Sequence, residues 1–347
     1  MRPSQAAVLV AVVGMTLGGG GALLRLPGSY LWLLAGLLLV AAWIGDRDPW
    51  LGLLAGYVVL RSGLALVPLS LEAGLGILFG CVALVLAREV PVGWWRPVWT
   101  TVAGITLGFL AIQGLGYDPL WLWDRPMPPG SLLHGLTGNP GYVGALLAMA
   151  AGVAAGWALP LIGLGIVASK SVLAGIAFAV ALVWRFPRSW RWAAVSSSVV
   201  LAGVWWFRGF DLTSWVYRWE TWKIAGRAWI GSWDRLAVGL APAWPWRTEI
   251  TIGSGWQPER FVSLHNDLLE FATSFGLVGV AILAGWLWAH RDAWRSEAAP
   301  GLAALVVVSL GAFPFQVAPV APLCIVILGM ATARRPPAHP RDREAPG

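Results

Sequence analysis

Apolar segments long enough to cross a membrane recur along almost the whole chain and are separated by short polar stretches. None alternates apolar and polar residues as a barrel strand would, so each is predicted to be a helix that satisfies its own backbone hydrogen bonds. The predicted spans cover about residues 6–24, 30–44, 50–69, 71–87, 98–115, 138–159, 192–207, 266–289, 302–313 and 317–333. Two shorter runs, 160–168 and 172–184, flank Ser169-Lys-Ser171 and form either two short helices or a partly re-entrant segment.

This pattern predicts an all-α integral membrane protein of about twelve transmembrane helices with a large, partly helical outer loop. Residues 1–207 hold spans one to nine, residues 208–264 form the loop with its amphipathic helices, residues 265–333 hold spans ten to twelve, and residues 334–347 form a polar tail. Composition agrees, because 58% of the residues are hydrophobic and only 12% are charged, whereas soluble domains carry about 25% charged residues.

Arginines are distributed unevenly between alternate loops, and this sets the predicted orientation. One side holds Arg2, Arg47, Arg88, Arg96, Arg185, Arg188, Arg191, Arg291, Arg295, Arg334, Arg335, Arg341 and Arg343. The short loops of the other side hold only Arg25, Arg125 and Lys170. By the positive-inside rule, both termini face the cytoplasm and the loop 208–264 lies outside. The same distribution explains most of the net charge of +7, so we expect membrane lipids and no nucleic acid as partners.

The loop 208–264 is rich in cations although it is predicted to lie outside, where the other loops have few. This departure from the positive-inside rule indicates an anionic ligand beside the membrane. The cations of the loop are Arg208, Arg218, Lys223, Arg227, Arg235, Arg247 and Arg260. A helix is predicted from Thr213 to about Ile230. One face of it carries Trp215, Arg218, Trp222 and Ala225. The forked guanidinium of Arg218 suits a phosphate or pyrophosphate; the alternative is an interfacial helix whose Trp and Arg residues only face lipid headgroups.

His265 lies where the tenth predicted span begins. With Ser263 as the N-cap, it falls in the first helical turn, where the positive end of the helix dipole keeps the imidazole neutral near pH 7. A neutral imidazole can take a proton from a hydroxyl. Asp267 and Glu270 either orient the ring or are first-turn acids that the dipole favours. The alternative for His265 is a headgroup-level histidine with a satisfied hydrogen bond.

Two further cations lie within or beside the predicted spans. Arg61 is predicted in the middle of the third span, where an unpaired charge is costly, so it should have a partner or face a polar cavity. Lys170 interrupts the two short runs and is either a snorkelling residue at a helix end or a second cation of the site.

Several common chemistries lack their sequence signatures. The chain has no phosphate-binding Gly-x-x-x-x-Gly-Lys-Ser/Thr loop and no Gly-x-Ser-x-Gly nucleophile turn. Its histidines do not have metal-ligand spacing; they are His134, His265, His290 and His339. We therefore expect neither a metal nor a nucleotide cofactor.

Four segments carry a resemblance to one family. They are His265-Asn-Asp-Leu-Leu-Glu-Phe-Ala-Thr-Ser-Phe-Gly-Leu-Val-Gly279, Arg218-x-x-x-Trp222, Gly138-Asn-Pro-Gly-Tyr-Val-Gly144 and Ser169-Lys-Ser171. They are similar to the His-Asn-x-x-Leu…Gly-Leu-x-Gly, Arg-x-x-x-Trp, Gly-Asn-Pro-Asn-Tyr-x-Gly and Ser-Arg-Gly motifs of the O-antigen ligase and O-antigen polymerase family, integral membrane glycosyltransferases with a GT-C-like fold. This chain departs from the last motif, with lysine in place of arginine and serine in place of glycine.

The resemblance implies metal-independent, inverting glycan transfer at the periplasmic face of a bacterial inner membrane. The expected donor is a glycan on undecaprenyl pyrophosphate. The expected acceptor is a hydroxyl of lipid A-core in a ligase, the growing glycan in a polymerase, or a protein side chain in an O-oligosaccharyltransferase. His265 would be the general base on the acceptor hydroxyl, and Arg218 would stabilise the departing lipid pyrophosphate.

The resemblance also implies which residues bind substrate. They are Lys170, Arg61, Asn139, Trp222, Asn266 and Asp267. We expect a monomer that acts in lipopolysaccharide biosynthesis. A lipid-linked glycan transporter or flippase is the alternative of another class, because it too would place cations beside a cavity. Such a protein would more naturally show paired repeats with broken helices, and we see no convincing internal repeat.

Overall fold

The computed structural model describes eleven stretches of the chain. They are residues 27–64, 68–90, 92–117, 133, 139–208, 213–240, 246–248, 259–261, 264–312, 314–316 and 320–333. Within them the chain forms thirteen α-helices, four short 3-10 helices and one ribbon of two strands. The prediction of an all-helical protein is therefore confirmed, apart from the small ribbon. The first predicted span, Ser263, His134 and the tail 334–347 lie outside the described residues.

The helices follow one another closely. They are α1 (Pro27–Gly45), α2 (Pro49–Leu64), α3 (Pro68–Ala87), α4 (Val92–Gly114), α5 (Pro140–Val153), α6 (Leu159–Ser169), α7 (Val172–Arg185), α8 (Trp190–Arg208), α9 (Thr213–Ile230), α10 (Trp233–Val238), α11 (Asp267–Ala289), α12 (Ala299–Ser309) and α13 (Ala321–Thr332). The 3-10 helices are Gly156–Ala158, Pro187–Ser189, Arg291–Arg295 and Pro314–Gln316. Strands β1 (Trp246–Thr248) and β2 (Glu259–Phe261) pair antiparallel, with Arg247 opposite Arg260.

Few of these helices are both long and apolar enough, over their described residues, to cross a membrane. Two, Gly93–Gly114 within α4 and Asp267–Ala289, are long and apolar enough to cross a bilayer. A third span results if α7 and α8 count as one, although the chain turns by 106° between them. The other apolar helical segments among the described residues have 10 to 17 residues, and two of them, Gly36–Gly45 and Gly74–Ala87, are parts of α1 and α3. The two short runs beside Lys170 are two separate helices, α6 and α7.

Two apolar cores hold the helices together. The larger is built on α5, α7 and α12, which pack against one another, with α4, α6, α8 and α13 around them. The smaller joins α1, α2 and α3 to α11. In the larger core, Val143, Leu147 and Met149 of α5 are fully buried. Small residues such as Ala150, Ala174 and Ala304 let these helices approach closely.

The long helix α11 is broken near its middle, and the segment that follows α10 is anchored at the break. Gly276 has φ 64° inside α11, and Gly239, just after α10, has φ 81°. The two segments meet backbone to backbone, because a side chain on Gly239 would collide with the carbonyl group of Ser274. The Leu240 amide donates to the Thr273 carbonyl oxygen at 2.7 Å. Only glycine allows both the positive φ and the close approach.

Arg61 holds the same junction. It lies in the last turn of α2, so the prediction of a charge in the middle of a span is wrong: the described helix ends at Leu64. Its Nε and Nη2 atoms donate to the carbonyl oxygens of Val238 and Gly239 at 2.8 and 2.7 Å. These carbonyl groups end a helix and lack partners within it, which is why a cation is stabilising there.

Candidate functional site

One cavity gathers half of the residues predicted for the site. It has a volume of about 450 Å³ and lies where α5 and α7 begin and α12 ends, beneath α9. We call it the histidine cavity. Its lining consists of Asn139, Pro140, Gly141, Tyr142, Ser169, Lys170, Ser171, Val172, Leu173, Phe207, Arg208, Trp215, Arg218, His265 and Ala312.

His265 precedes α11 instead of lying in its first turn. The N-cap is Asn266, whose side-chain oxygen accepts from the Leu269 amide at 2.9 Å, so the prediction of a first-turn histidine is wrong. His265 has φ 53°, in the left-handed region. Lys170, across the cavity, also has φ 53°, and these two are the non-glycine residues with positive φ in the described part of the chain. Residues held in this region cluster at functional sites.

The segment on the N-terminal side of His265 is fixed by two side chains. The indole N–H of Trp222 donates to the Leu264 carbonyl oxygen at 2.7 Å, and a Glu270 carboxylate oxygen accepts from the Leu264 amide at 2.9 Å. Leu264 is fully buried against Ala225 of α9. The face of α9 predicted from the sequence is therefore the face that packs.

The segment on the C-terminal side of His265 is fixed to the end of α12. The Asn266 side-chain amide donates to the Leu310 carbonyl oxygen at 2.9 Å, and the Asp267 amide donates to the Ala312 carbonyl oxygen at 3.2 Å. Asp267 Oδ2 accepts from the Phe315 amide at 3.1 Å. With both flanks held, the backbone of His265 keeps its left-handed conformation without help from a ligand.

Burial and charge keep the His265 ring neutral. Burial is the larger cause and the cation of Arg218 the smaller, and together they lower the pKa of His265 from 6.5 to about 4. A cation near the ring and a low dielectric both disfavour the imidazolium. At neutral pH the imidazole can therefore accept a proton.

Arg218 is held in place on α9 with its charge directed toward the cavity lining. Its Nη1 donates to the Gly311 carbonyl oxygen at 2.6 Å, and its Cζ lies 5.3 Å from the centre of the Trp215 ring. Burial lowers the pKa of Arg218, Tyr142 raises it and the cation of Arg208 lowers it further. An arginine remains protonated despite such shifts, so three cations, with Lys170, line this cavity.

Two helices begin at the cavity and add to its positive potential. Asn139 caps α5 by accepting from the Gly141 amide at 2.8 Å, and Ser171 caps α7 by accepting from the Ala174 amide at 3.3 Å. The N-terminal end of a helix carries a partial positive charge that favours anions. Arg208, at the end of α8, donates from Nη1 to the Lys170 carbonyl oxygen at 3.2 Å.

Two of the sequence motifs pack directly against each other. A side chain on Gly144 of α5 would meet Ser169 Oγ at 2.8 Å and the Cβ atoms of Ala174 and Ser171 at 2.6 and 3.1 Å. Glycine at this position therefore lets α5 approach the Lys170 turn. Residues Asn139–Tyr142 of the first motif and Ser169–Ser171 of the second thus form one wall of the cavity.

The structure brings four predicted site residues to this cavity and leaves four outside its lining. His265, Arg218, Lys170 and Asn139 line it. Trp222, Asn266 and Asp267 hold the backbone around His265 instead, and Arg61 holds α10.

Arg208 lines the cavity but was not predicted as a site residue. At the end of a predicted span it looks like any flanking arginine. It lies five residues before the predicted helix of the loop, and although it is one of the loop's cations, no motif or helical spacing singles it out.

The chemistry of the lining suits an anion and a proton transfer. Among the described residues, no group of three His, Cys, Asp or Glu side chains is arranged to hold a metal ion.

A scan against protein-family models and searches of curated proteins and of solved structures found no match for this chain.

Proposed function

We propose that this chain is a membrane glycosyltransferase of the O-antigen ligase type, which moves a glycan from undecaprenyl pyrophosphate to a hydroxyl of lipid A-core. One observation carries the proposal: a half-buried, neutral histidine shares a cavity with Lys170, Arg208, Arg218 and the starts of two helices. A neutral base beside concentrated positive charge fits a reaction that deprotonates a hydroxyl and releases an anion.

The proposed reaction is a single displacement at the anomeric carbon. His265 accepts the proton of the acceptor hydroxyl as its oxygen attacks, and the bond from the anomeric carbon to the pyrophosphate oxygen breaks. The electron pair of that bond stays on the lipid pyrophosphate, whose added charge Arg218, Lys170 and Arg208 stabilise. Attack opposite the leaving group inverts the configuration. The pyrophosphate is already activated, so no nucleotide is required.

We also propose that the protein spans a bacterial inner membrane about twelve times, with both termini in the cytoplasm and the histidine cavity at the periplasmic face. Exposed tryptophans support the embedding. Trp190 and Trp192 lie near the start of α8, and Trp205 and Trp206 near its end. Trp190 and Trp206 are ~24 Å apart along the axis, since a helix rises 1.5 Å per residue. Two aromatic belts at about this separation are typical of membrane proteins.

The acceptor class separates the ligase from its nearest alternatives. A polymerase or a protein O-oligosaccharyltransferase would use the same donor and the same three cations. A transporter is less well supported, because fully buried apolar residues fill the space between α5, α7 and α12 beyond the cavity. A cavity closed at its inner end suits chemistry at one face of the membrane.

The proposal is tested by transfer in detergent. Purified protein is incubated with a synthetic undecaprenyl-pyrophosphate glycan and EDTA, and with lipid A-core, a lipid-linked glycan or a protein acceptor in separate reactions. We expect transfer to lipid A-core with release of undecaprenyl pyrophosphate. Transfer only to the glycan or only to the protein would replace the ligase assignment with the corresponding alternative. No release of undecaprenyl pyrophosphate with any acceptor would refute the transferase.

The variant Arg218→Lys tests the anion site within the same assay. Lysine keeps the charge but loses the fork that holds a pyrophosphate, so we expect turnover to fall by roughly 100-fold or more. Arg227→Lys is the matched control, because Arg227 is exposed on the same helix and lines no part of the cavity. Equal activity of the two variants would remove Arg218 from the proposed site.

A further inference from the structure

A second cavity lies at the opposite end of the same three helices. It has a volume of about 400 Å³ and is lined by the ends of α5 and α7 and the start of α12, whereas the histidine cavity lies at the starts of α5 and α7 and the end of α12. Since α5 has 14 residues, the two cavities are ~20 Å apart. We call it the arginine cavity, after Arg96, Arg185 and Arg295 in its lining.

Arg185 is oriented at this cavity by the end of α5. Its Nη1 and Nη2 atoms donate to the carbonyl oxygens of Ala151 and Ala154 at 2.6 and 2.7 Å. These bonds use two of the five N–H donors of the guanidinium. The bonds therefore fix the fork in place and leave it able to bind a further acceptor.

The charge at the arginine cavity is only partly compensated. Arg295 pairs with Asp292 at 3.6 Å, and Glu297 is the acidic residue of the lining. Within the described stretches of chain, neither Arg96 nor Arg185 forms an ion pair. The start of α12, at Ala299, adds the positive end of a helix dipole.

Aromatic side chains surround this charge. Trp184 and Trp294 lie in the cavity wall with their ring centres 5.4 Å apart. Trp94, two residues before Arg96, is 70% exposed, and Trp192, at the start of the neighbouring helix α8, is 76% exposed. Paired cations at the level of exposed tryptophans are the setting in which phospholipid headgroups are bound.

We propose that the arginine cavity binds a phosphate group, with Arg96 and Arg185 as its donors, and that this phosphate belongs to an anionic phospholipid. The acyl chains would pass over Trp184 and Trp294. This inference concerns binding alone and does not depend on the transferase reaction. Arg185 is half-buried and held by two hydrogen bonds, and Arg96, although exposed, lines the same cavity. Arginines that merely follow the positive-inside rule need not share a cavity in this way.

The test is lipid binding by the full-length protein in detergent, measured by native mass spectrometry and by the thermal unfolding midpoint. Phosphatidylglycerol, diacylglycerol with the same chains, glycerol 3-phosphate and inorganic phosphate are added separately, without glycan donor. We expect phosphatidylglycerol to be retained and to raise the midpoint, and diacylglycerol to do neither. Equal retention of diacylglycerol would overturn the phosphate site. Saturation by glycerol 3-phosphate or inorganic phosphate alone would retain the phosphate site and overturn its assignment to a lipid.

Two matched variants make the test specific to the cavity. Arg96→Gln changes an exposed cation whose side chain forms no hydrogen bond or ion pair with the described residues, so the variant should fold, and we expect it to weaken phosphatidylglycerol binding roughly tenfold. Arg188→Gln removes an equal charge from an exposed position beside the cavity but outside its lining. It should bind like the wild type. An equal loss in both variants would indicate attraction to the surface charge alone and would overturn the site.

Discussion

The helix α11 has a histidine at each end, and the two are held in opposite ways. His265 lies just before its first residue, beside the cation of Arg218, with a pKa lowered to about 4 by burial and by that charge. His290 is the C-cap, and its ring lies 5.0 Å from that of Trp286. One histidine lines a cavity full of cations, whereas the other contacts a carboxylate.

His290 belongs to a buried ion-pair network. Its Nδ1 lies 2.9 Å from the Trp286 carbonyl oxygen, which can only accept, so Nδ1 carries a hydrogen. Its Nε2 lies 3.3 Å from Asp48 Oδ2 and 3.4 Å from Arg88 Nη2. A neutral ring can accept from Arg88, and a charged ring can donate to Asp48. Either protonation state therefore finds a partner.

The surroundings of the two histidines distinguish a candidate base from a structural residue. His265 lines a cavity with three cations, whereas His290 contacts Asp48. His290 lines neither cavity, and its ring contacts Asp48, Arg88 and Trp286 of the protein itself. Burial and the cation of Arg218 disfavour the protonated form of His265. The ring can therefore accept a proton readily only when an anion bound nearby stabilises the imidazolium. An anionic leaving group bound at Arg218 and Lys170 would supply that negative charge.

The largest effect should come from changing each histidine to asparagine. Asparagine tolerates the left-handed backbone of His265 but cannot serve as a base. We expect His265→Asn to lower kcat by roughly 100- to 10,000-fold with little change in the unfolding midpoint. His290→Asn should lower the midpoint and leave kcat within a few-fold. Kinetics and thermal unfolding of both variants in detergent measure this.

A reversal of those two outcomes would contradict the comparison. If His290→Asn lost turnover while remaining folded, the catalytic histidine would be His290, at the C-terminal end of α11. If His265→Asn kept full kcat, the cavity would have no base at that position.

Removing the Asp48 side chain should destabilise the packing of the C-terminal end of α11, where Asp48 contacts Trp286 and His290. Its carboxylate is 3% exposed and accepts from Arg88 Nη1 at 2.8 Å and from Trp286 Nε1 at 3.0 Å. Asp48→Ala leaves these donors buried without an acceptor, and we expect a loss of about 3–5 kcal/mol in the free energy of unfolding. Urea or thermal unfolding measures it. The exposed Asp46→Ala is the control, and equal stability of the two variants would show that the network contributes nothing.

The pH dependence should follow His265. In the free enzyme kcat/KM should fall with a midpoint near pH 4 instead of 6.5, because the ring stays neutral down to its lowered pKa. The midpoint of the fall in kcat should lie at a higher pH, because the anionic donor bound in the cavity favours the imidazolium and so raises the pKa of His265. Kinetics from about pH 3 to 8 cover the midpoints of both limbs. A midpoint of 6.5 in kcat/KM would mean that the ring is solvated.

The fold should survive most of this range. Burial raises the pKa of the Asp48 carboxyl, but its hydrogen bonds with Leu51 and Arg88 and the charge of Arg88 outweigh burial and hold the pKa below its ordinary value. A carboxyl whose pKa is lower in the folded state stabilises the fold above about pH 4 and loses that contribution as the pH falls further. Unfolding midpoints at each pH separate loss of structure from protonation of His265.

The sequence predicted local features well and long-range contacts poorly. The bounds of α9, Thr213–Ile230, and its packed face follow from helical spacing alone. The choice between Ser263 and Asn266 as the cap does not, because both are good caps and a shift of three residues moves His265 out of the helix. The contact of Arg61 with Val238 joins positions 177 residues apart, and no local pattern encodes it.

The smallest effect should come from Trp222, which holds the backbone next to His265 without lining the cavity. Trp222→Phe keeps an aromatic ring but removes the donor to the Leu264 carbonyl oxygen, at a cost of about 1 kcal/mol. We expect kcat to fall by roughly tenfold or less, with KM for the donor unchanged, because the base is displaced and the anion site is not. Trp219→Phe, at an exposed position beside it, is the control. A rise in KM at constant kcat would mean that Trp222 binds the donor directly, as the family resemblance implied, and that His265 is positioned by Asn266 and Glu270 alone.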